Sequence, residues 1–162
     1  MSLDAAQRRA VLSHPAGWIA LGFGSGLSPV APGTVGSIFA ALLWLLLREL
    51  DPVWIVLVIV AASAIGVWAS NIAIARIGVD DPGSIVWDEF VGQWIALLPL
   101  LVWPMNDWWV VVGFGLFRLF DVAKPWPVSW ADRHVKGGFG VLPDDALAGL
   151  YAALVLAGAL YF

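Results

Sequence analysis

Residues 53–77 read VWIVLVIVAASAIGVWASNIAIARI, and from Val53 to Ala75 this stretch carries no charge. About 20 apolar residues suffice to cross a bilayer. In lipid the backbone must satisfy its own N–H and C=O groups, which a single segment does only as a helix. Asp51-Pro52 breaks the stretch on one side, and the turn-rich Gly78-Val79-Asp80-Asp81-Pro82-Gly83 breaks it on the other. Further apolar segments flank it: Val35–Leu47, which is short, then Ile85–Trp103, Trp108–Asp121 and Asp144–Phe162. Pro104-Met105-Asn106-Asp107 forms a tight turn, and Ala123–Pro143 forms a polar loop. The expected fold is all-α: a polytopic membrane helical bundle of about five transmembrane or partly inserted helices, in one domain over 1–162. Residues 1–16, MSLDAAQRRAVLSHPA, have no long apolar core after their arginines. They read as a cytoplasmic segment with a short interfacial helix, not as a cleaved signal.

Composition agrees. The 162 residues are 61% hydrophobic and 12% charged, against a charged share of about 25% in soluble domains. There is no cysteine, which excludes disulfides, thiolate zinc sites and cysteine-phosphatase chemistry. A net charge of −4 argues against nucleic acid as a partner. Orientation follows from Lys and Arg. With a cytoplasmic N-terminus, Arg8, Arg9, Arg76, Arg118, Lys124, Arg133 and Lys136 lie inside, and only Arg48 lies outside. Tryptophans mark both rims, with Trp54, Trp103, Trp108 and Trp109 outside and Trp18, Trp87, Trp126 and Trp130 inside.

This topology carries Asp88, Glu89, Asp121, Asp144 and Asp145 to one depth on the cytoplasmic side. Burying carboxylates is costly unless a cation gathers them. Oxygen donors from three helix ends suit one or two Mg²⁺ ions. Capping at helix N-termini is the alternative reading for Asp144, Asp145 and Asp88, but it does not account for Asp121 at a C-terminal end. Glu49, Asp51 and Asp107 sit in outer turns as solvated residues.

Around the acids lies FRLFDVAKPWPVSWADRHVKGG, 117–138. Arg118 stands three residues before Asp121 and pairs with it on one helix face. Pro125 and Pro127 stop the helix and stiffen the loop. Lys124 and Arg133 suit a phosphate group. The other reading is a basic loop that touches anionic headgroups. His134 is either a general acid or a polar surface residue. The loop GFGSGLSPVAPGTVGS, 22–37, leads into a helix at Thr34 or Val35, and backbone N–H groups at such an entry bind anions. Ser28, Thr34 and Ser37 are candidate contacts there, with a simple Thr34 N-cap as the alternative. Asn71 and Gln93 either extend the polar site or make interhelical hydrogen bonds. Gly66, Gly92, Gly113, Gly115 and Gly149 read as points of close helix approach.

The strings LSPVAPGTVGS, VWDEFVGQWIAL, FRLFDVAKPWPVSWADR and PDDALAGLYA, in this order, closely resemble the phosphatidylglycerophosphatase A family, from about Gly22 to Ala152. The resemblance implies a small bacterial inner-membrane, multi-pass enzyme. Such an enzyme removes the terminal phosphate of phosphatidylglycerophosphate, with Mg²⁺, to give phosphatidylglycerol. It also implies that the family's motif acids are Asp88, Glu89, Asp121, Asp144 and Asp145. The expected roles follow: Asp88, Glu89, Asp121 and Asp145, helped by Asp144, hold the metal; Lys124, Arg133, Ser28 and Thr34 bind substrate; His134 or an Asp protonates the leaving oxygen. Three other readings stand beside this one. A CDP-alcohol phosphotransferase also clusters Asp around Mg²⁺, but its pattern, with DG and AR between the acids, is absent. A cation transporter expects polar residues through the whole bilayer depth. A structural subunit expects inert helix caps.

Overall fold

The computed structural model describes residues 3–79, 82–103, 106–135 and 137–162. Among them every regular element is helical, and no strand is present. The expected breaks at Asp80-Asp81 and Pro104-Met105, and the basic residue Lys136, lie outside the described residues.

The N-terminal segment folds as α1 (Ala5–Leu12) and α2 (Pro15–Ala20). Asp4 opens α1 with a capping box: the Gln7 N–H donates to Asp4 Oδ1 (2.8 Å), and the Asp4 N–H donates to Gln7 Oε1 (3.0 Å). A 3-10 stretch, Gly22–Leu27, leads to α3 (Pro32–Leu47). The decisive apolar stretch becomes α4 (Pro52–Ile77), where Asp51 accepts from the Val53 N–H and Pro52 starts the first turn. Gly78, at φ 72°, ends it in the left-handed conformation that glycine adopts without a Cβ clash. Then come α5 (Trp87–Leu97), a 3-10 turn Leu98–Leu101, α6 (Trp108–Ala123), α7 (Val128–His134) and α8 (Gly137–Tyr161).

Three sequence expectations are corrected. The expected span Ile85–Trp103 holds only the 11 residues of α5 before the chain tightens at Pro99. Eleven residues rise about 16 Å, roughly half of a hydrocarbon core of about 30 Å. This helix is the enclosed centre of the bundle, packed on α3, α4, α6 and α8. The polar loop Ala123–Pro143 holds α7 and the first two turns of α8, so the last helix starts well before Asp144. Trp87 is no rim residue. It is 8% exposed, lies against Gly66, and donates its indole N–H to the Ala62 carbonyl at 2.9 Å. Trp94 makes the matching bond to Ala40 (3.0 Å), so two indoles lock α5 to α4 and α3.

α5 meets α8 backbone to backbone. A Cβ on Gly149 would lie 2.3 Å from the Gly92 carbonyl oxygen, and one on Gly92 would lie 2.6 Å from the Asp145 carbonyl oxygen. Small residues permit this approach. Gly66 and Gly113 are also points of contact, whereas Gly115 has nothing within 4 Å.

Two helices, α4 and α8, are long and apolar enough to cross a membrane, and α3 is a shorter apolar helix. Only 33% of the most apolar window of α4, and 39% of that of α8, is buried. The core helix of a soluble protein would be mostly buried. Here Val53, Leu57, Val60 and Trp68 of α4 and Leu150 and Leu154 of α8 face outward. Apolar exposure on this scale marks an interaction surface.

Candidate active site

A cleft of about 580 Å³ opens where α5 begins and α6 ends. Asp88 and Glu89 enter it from the first turn of α5, Asp121 from the last turn of α6, and Asp144 and Asp145 from the third turn of α8. Asp132 enters from α7, and Lys124 from the residue that closes α6. The five acids singled out in the sequence therefore share one recess. Asp144 and Asp145 stand too far into α8 for N-terminal capping, since the helix-end field fades within the first turn.

The cleft divides its carboxylates. Arg118 holds Asp121 at 2.6 Å, stands 3.8 Å from Glu89, and donates to Ser37 Oγ at 3.3 Å. Lys124 donates to Asp144 at 2.8 Å and to Asp132. Burial opposes the ammonium, but the bonds to Asp132 and Asp144 outweigh it and raise the Lys124 pKa above its ordinary value. Lys124 also adopts a left-handed backbone, φ 42°, at a cost on the order of 1 kcal/mol. Its two acid partners hold it there.

Among the described residues, the remaining three acids have no such cation to themselves. Asp88, Glu89 and Asp145 each offer an oxygen within 4.8 Å of the other two. Asp88 Oδ1 and Glu89 Oε2 are buried without a hydrogen-bond partner, and a buried carboxylate oxygen left so is costly. An all-oxygen set of this kind fits a hard divalent cation such as Mg²⁺. The same acids, with no ion between them, repel one another.

Other candidates lie elsewhere. Arg133 and His134 are exposed and do not line the cleft. Asp132 faces in, and a helix turns about 100° per residue, so the next two side chains swing out. His134 instead shares a hydrogen bond with the Trp130 carbonyl and stacks on that indole. Ser28 donates to the Val30 carbonyl and lines a separate recess with Arg8 and Ser84. Thr34 is half-buried outside the cleft lining. Its neighbour Gly33 meets the site, where a Cβ would lie 1.9 Å from Glu89 Oε1, and Ser37 meets it through Arg118. Asn71 accepts from the Gly138 N–H at 3.1 Å, an interhelical bond at the start of α8. Gln93 is fully buried and unpartnered. Asp132 was hidden in the sequence by the bases that follow it.

Fold and site define a class: an all-helical, largely apolar protein with a carboxylate cleft of hard-cation type, flanked by an arginine and a lysine that suit a phosphate. The sequence pattern described as phosphatidylglycerophosphatase A matches residues 18–160. The phosphatidylglycerophosphatase A of Escherichia coli (strain K12) is 47% identical over 160 residues, covering 98% of this chain and 89% of that protein. The protein of the same name in Haemophilus influenzae is 43% identical over 90% of this chain and 88% of its own. A Bacteroides thetaiotaomicron relative, provisionally named a phosphatidylinositol-3-phosphatase, is 44% identical over 86% of this chain and 89% of its own. No solved structure matches. The chain belongs to the phosphatidylglycerophosphatase A family, and it is an enzyme, a phosphatase.

Proposed function

We propose that the protein hydrolyses the terminal phosphomonoester of phosphatidylglycerophosphate, giving phosphatidylglycerol and inorganic phosphate, with Mg²⁺ held by Asp88, Glu89 and Asp145. The observation that carries this reading is the trio of carboxylates within 4.8 Å, two of them with unpartnered buried oxygens, in a chain of this family.

A bound divalent cation supplies positive charge to the phosphoryl oxygens and acidifies a water. The chain's own residues do the rest. Lys124, anchored by Asp132 and Asp144, presents an ammonium to the phosphate at the cleft wall. Arg118 orients Asp121 and Glu89 and offsets their charge. Gly33 leaves room for the Glu89 carboxylate. Because His134 lies outside the cleft, the proton for the leaving glycerol oxygen comes from a cleft carboxyl. Water is the nucleophile in this scheme; an acid-stable phosphoprotein trapped from labelled substrate would replace it with an aspartyl-phosphate route.

The bundle sits in the bacterial inner membrane with the cleft facing the cytoplasm. Helices α3, α4, α6 and α8 are embedded around the enclosed α5. The outward apolar faces and the distribution of Lys and Arg along the sequence support this arrangement. Acids gathered in one cleft speak against a cation transporter.

The test is phosphate release from purified protein in detergent, with Mg²⁺ and with a chelator. Release from phosphatidylglycerophosphate only with metal is expected. The name of the Bacteroides relative favours a second reading, in which the same chemistry acts on another lipid phosphomonoester. Phosphatidylinositol 3-phosphate in the same assay separates the two. Silence on both substrates with Mg²⁺ present would refute the hydrolase reading.

A further inference from the structure

Between α3 and α6 runs an apolar groove of about 310 Å³, with Ile38, Leu42 and Leu45 on one wall and Val111 and Phe114 on the other. The α3–α6 contact that forms it runs on toward the active site. Ser37, one residue before Ile38, accepts from Arg118, and Arg118 is one turn beyond Phe114. Arg118 in turn grips Glu89 and Asp121 of the cleft. A single seam is thus charged at its cleft end and apolar beyond. Its far end is closed by Asp107, which is paired with Arg48 at 2.6 Å. By helix rise, the groove spans about 9 Å to about 20 Å from the start of α3. One leaflet of hydrocarbon is about 15 Å deep.

Resting on the phosphatase reading above, we propose that this seam seats one acyl chain of the lipid phosphate substrate, with the headgroup bent into the cleft past Arg118. A phosphomonoester on a diacyl lipid has the same polarity along its length as the seam. The seat works by position, since an acyl chain in a bilayer is already in apolar surroundings and gains little from a second apolar wall. A fixed chain holds the phosphate at one place, which is where an enzyme gains rate.

The test uses the full chain in lipid nanodiscs. Diacyl phosphatidylglycerophosphate is compared with the same headgroup freed of its acyl chains. Val111→Trp and Ala41→Phe fill the groove, and Val60→Trp adds equal bulk on the outward face of α4. The groove variants are expected to lose about tenfold in kcat/KM on the diacyl substrate, and about fivefold less than that on the deacylated headgroup. Val60→Trp should match wild type on both. Equal losses on the two substrates would overturn the seat. Because the filled variants risk misfolding, wild-type protein is also labelled with substrate carrying a photoreactive acyl chain. Adducts on α3 and α6 that unlabelled substrate competes away are expected. Even, uncompeted labelling of α4 and α8 would overturn the seat and leave the phosphatase reading standing. Competed seam labelling by a wild type that releases no phosphate would overturn that reading instead.

Discussion

Asp145 and its neighbours across the cleft, Asp88 and Glu89, are three carboxylates that repel one another at the spacing the backbone imposes. Removing one charge should therefore cut two ways. Asp88→Asn, Glu89→Gln and Asp145→Asn are each expected to lower kcat/KM by about 100-fold or more, through lost metal affinity and lost charge stabilisation. With a chelator present, Asp88→Asn and Asp145→Asn should unfold at or above the wild-type temperature, because a buried repelling charge is gone, and Glu89→Gln should gain less, because it also loses its contact with Arg118. Mg²⁺ at a hundred times its Kd should stabilise wild type by about 2.7 kcal/mol and the variants far less. A thermal scan with and without metal reads both effects; an equal Mg²⁺ shift in wild type and Asp145→Asn would remove that residue from the ion's shell. Arg133→Ala and His134→Ala should change kcat/KM by less than about threefold, since both face away from the cleft. A loss of 100-fold at His134 would restore it as the acid that the sequence reading expected. Arg133 looked functional because charge gathers in a proline-stiffened loop, and His134 because a histidine there can serve as a general acid. Asp132 was not singled out by the sequence reading. Side-chain direction on a seven-residue helix decided between them, and nothing in the local string encodes it.

At the level of elements, the contact between α5 and α8 sets the distance between two of the three clustered acids and the third. Gly92 and Gly149 allow that contact, and Asp145 lies directly on it. Gly149→Ala and Gly92→Ala should each cost about 1–3 kcal/mol through overpacking. Their activity should fall further than stability explains, by up to about 100-fold, because a shift near 1 Å at a reacting group has that effect. Gly115→Ala, which meets nothing within 4 Å, should be neutral or stabilising by up to about 1 kcal/mol. Unfolding in detergent and kcat measured side by side distinguish the three; equal behaviour at all three positions would disprove the close-contact argument. The stretch 53–77 was read almost to the residue, because Asp51-Pro52 and Gly78 are strong helix punctuation. The segment 85–103 was misread as a span because apolar character alone does not separate a lipid-facing helix from an enclosed one. Its side chains are mostly bulky and apolar in either case; what differs is whether other helices cover them.

For the whole molecule, the arrangement requires both ends of every long helix to agree on sides. The chain has no cysteine, so single-cysteine variants report position cleanly. Arg133→Cys, at the cleft end, and Leu50→Cys, between α3 and α4, are expected to react with an impermeant thiol reagent from opposite faces of oriented vesicles. Labelling of both from one face would dismantle the bundle and with it the shared depth of the acids.

By itself the sequence determined that the chain is helical and apolar, that its acids gather at segment ends, and which family it belongs to. These properties reside in composition, in punctuation by proline and glycine, and in ordered motifs, all of them local. Only the tertiary structure decided that α5 is enclosed, that Arg118 ties Asp121 and reaches Glu89 while Lys124 ties Asp144, leaving Asp88 and Asp145 without a basic partner among the described residues, and that Asp132 replaces Arg133 and His134 at the cleft. Those outcomes depend on which helix faces meet. The meeting is set by close packing at glycine contacts and indole hydrogen bonds between residues tens of positions apart.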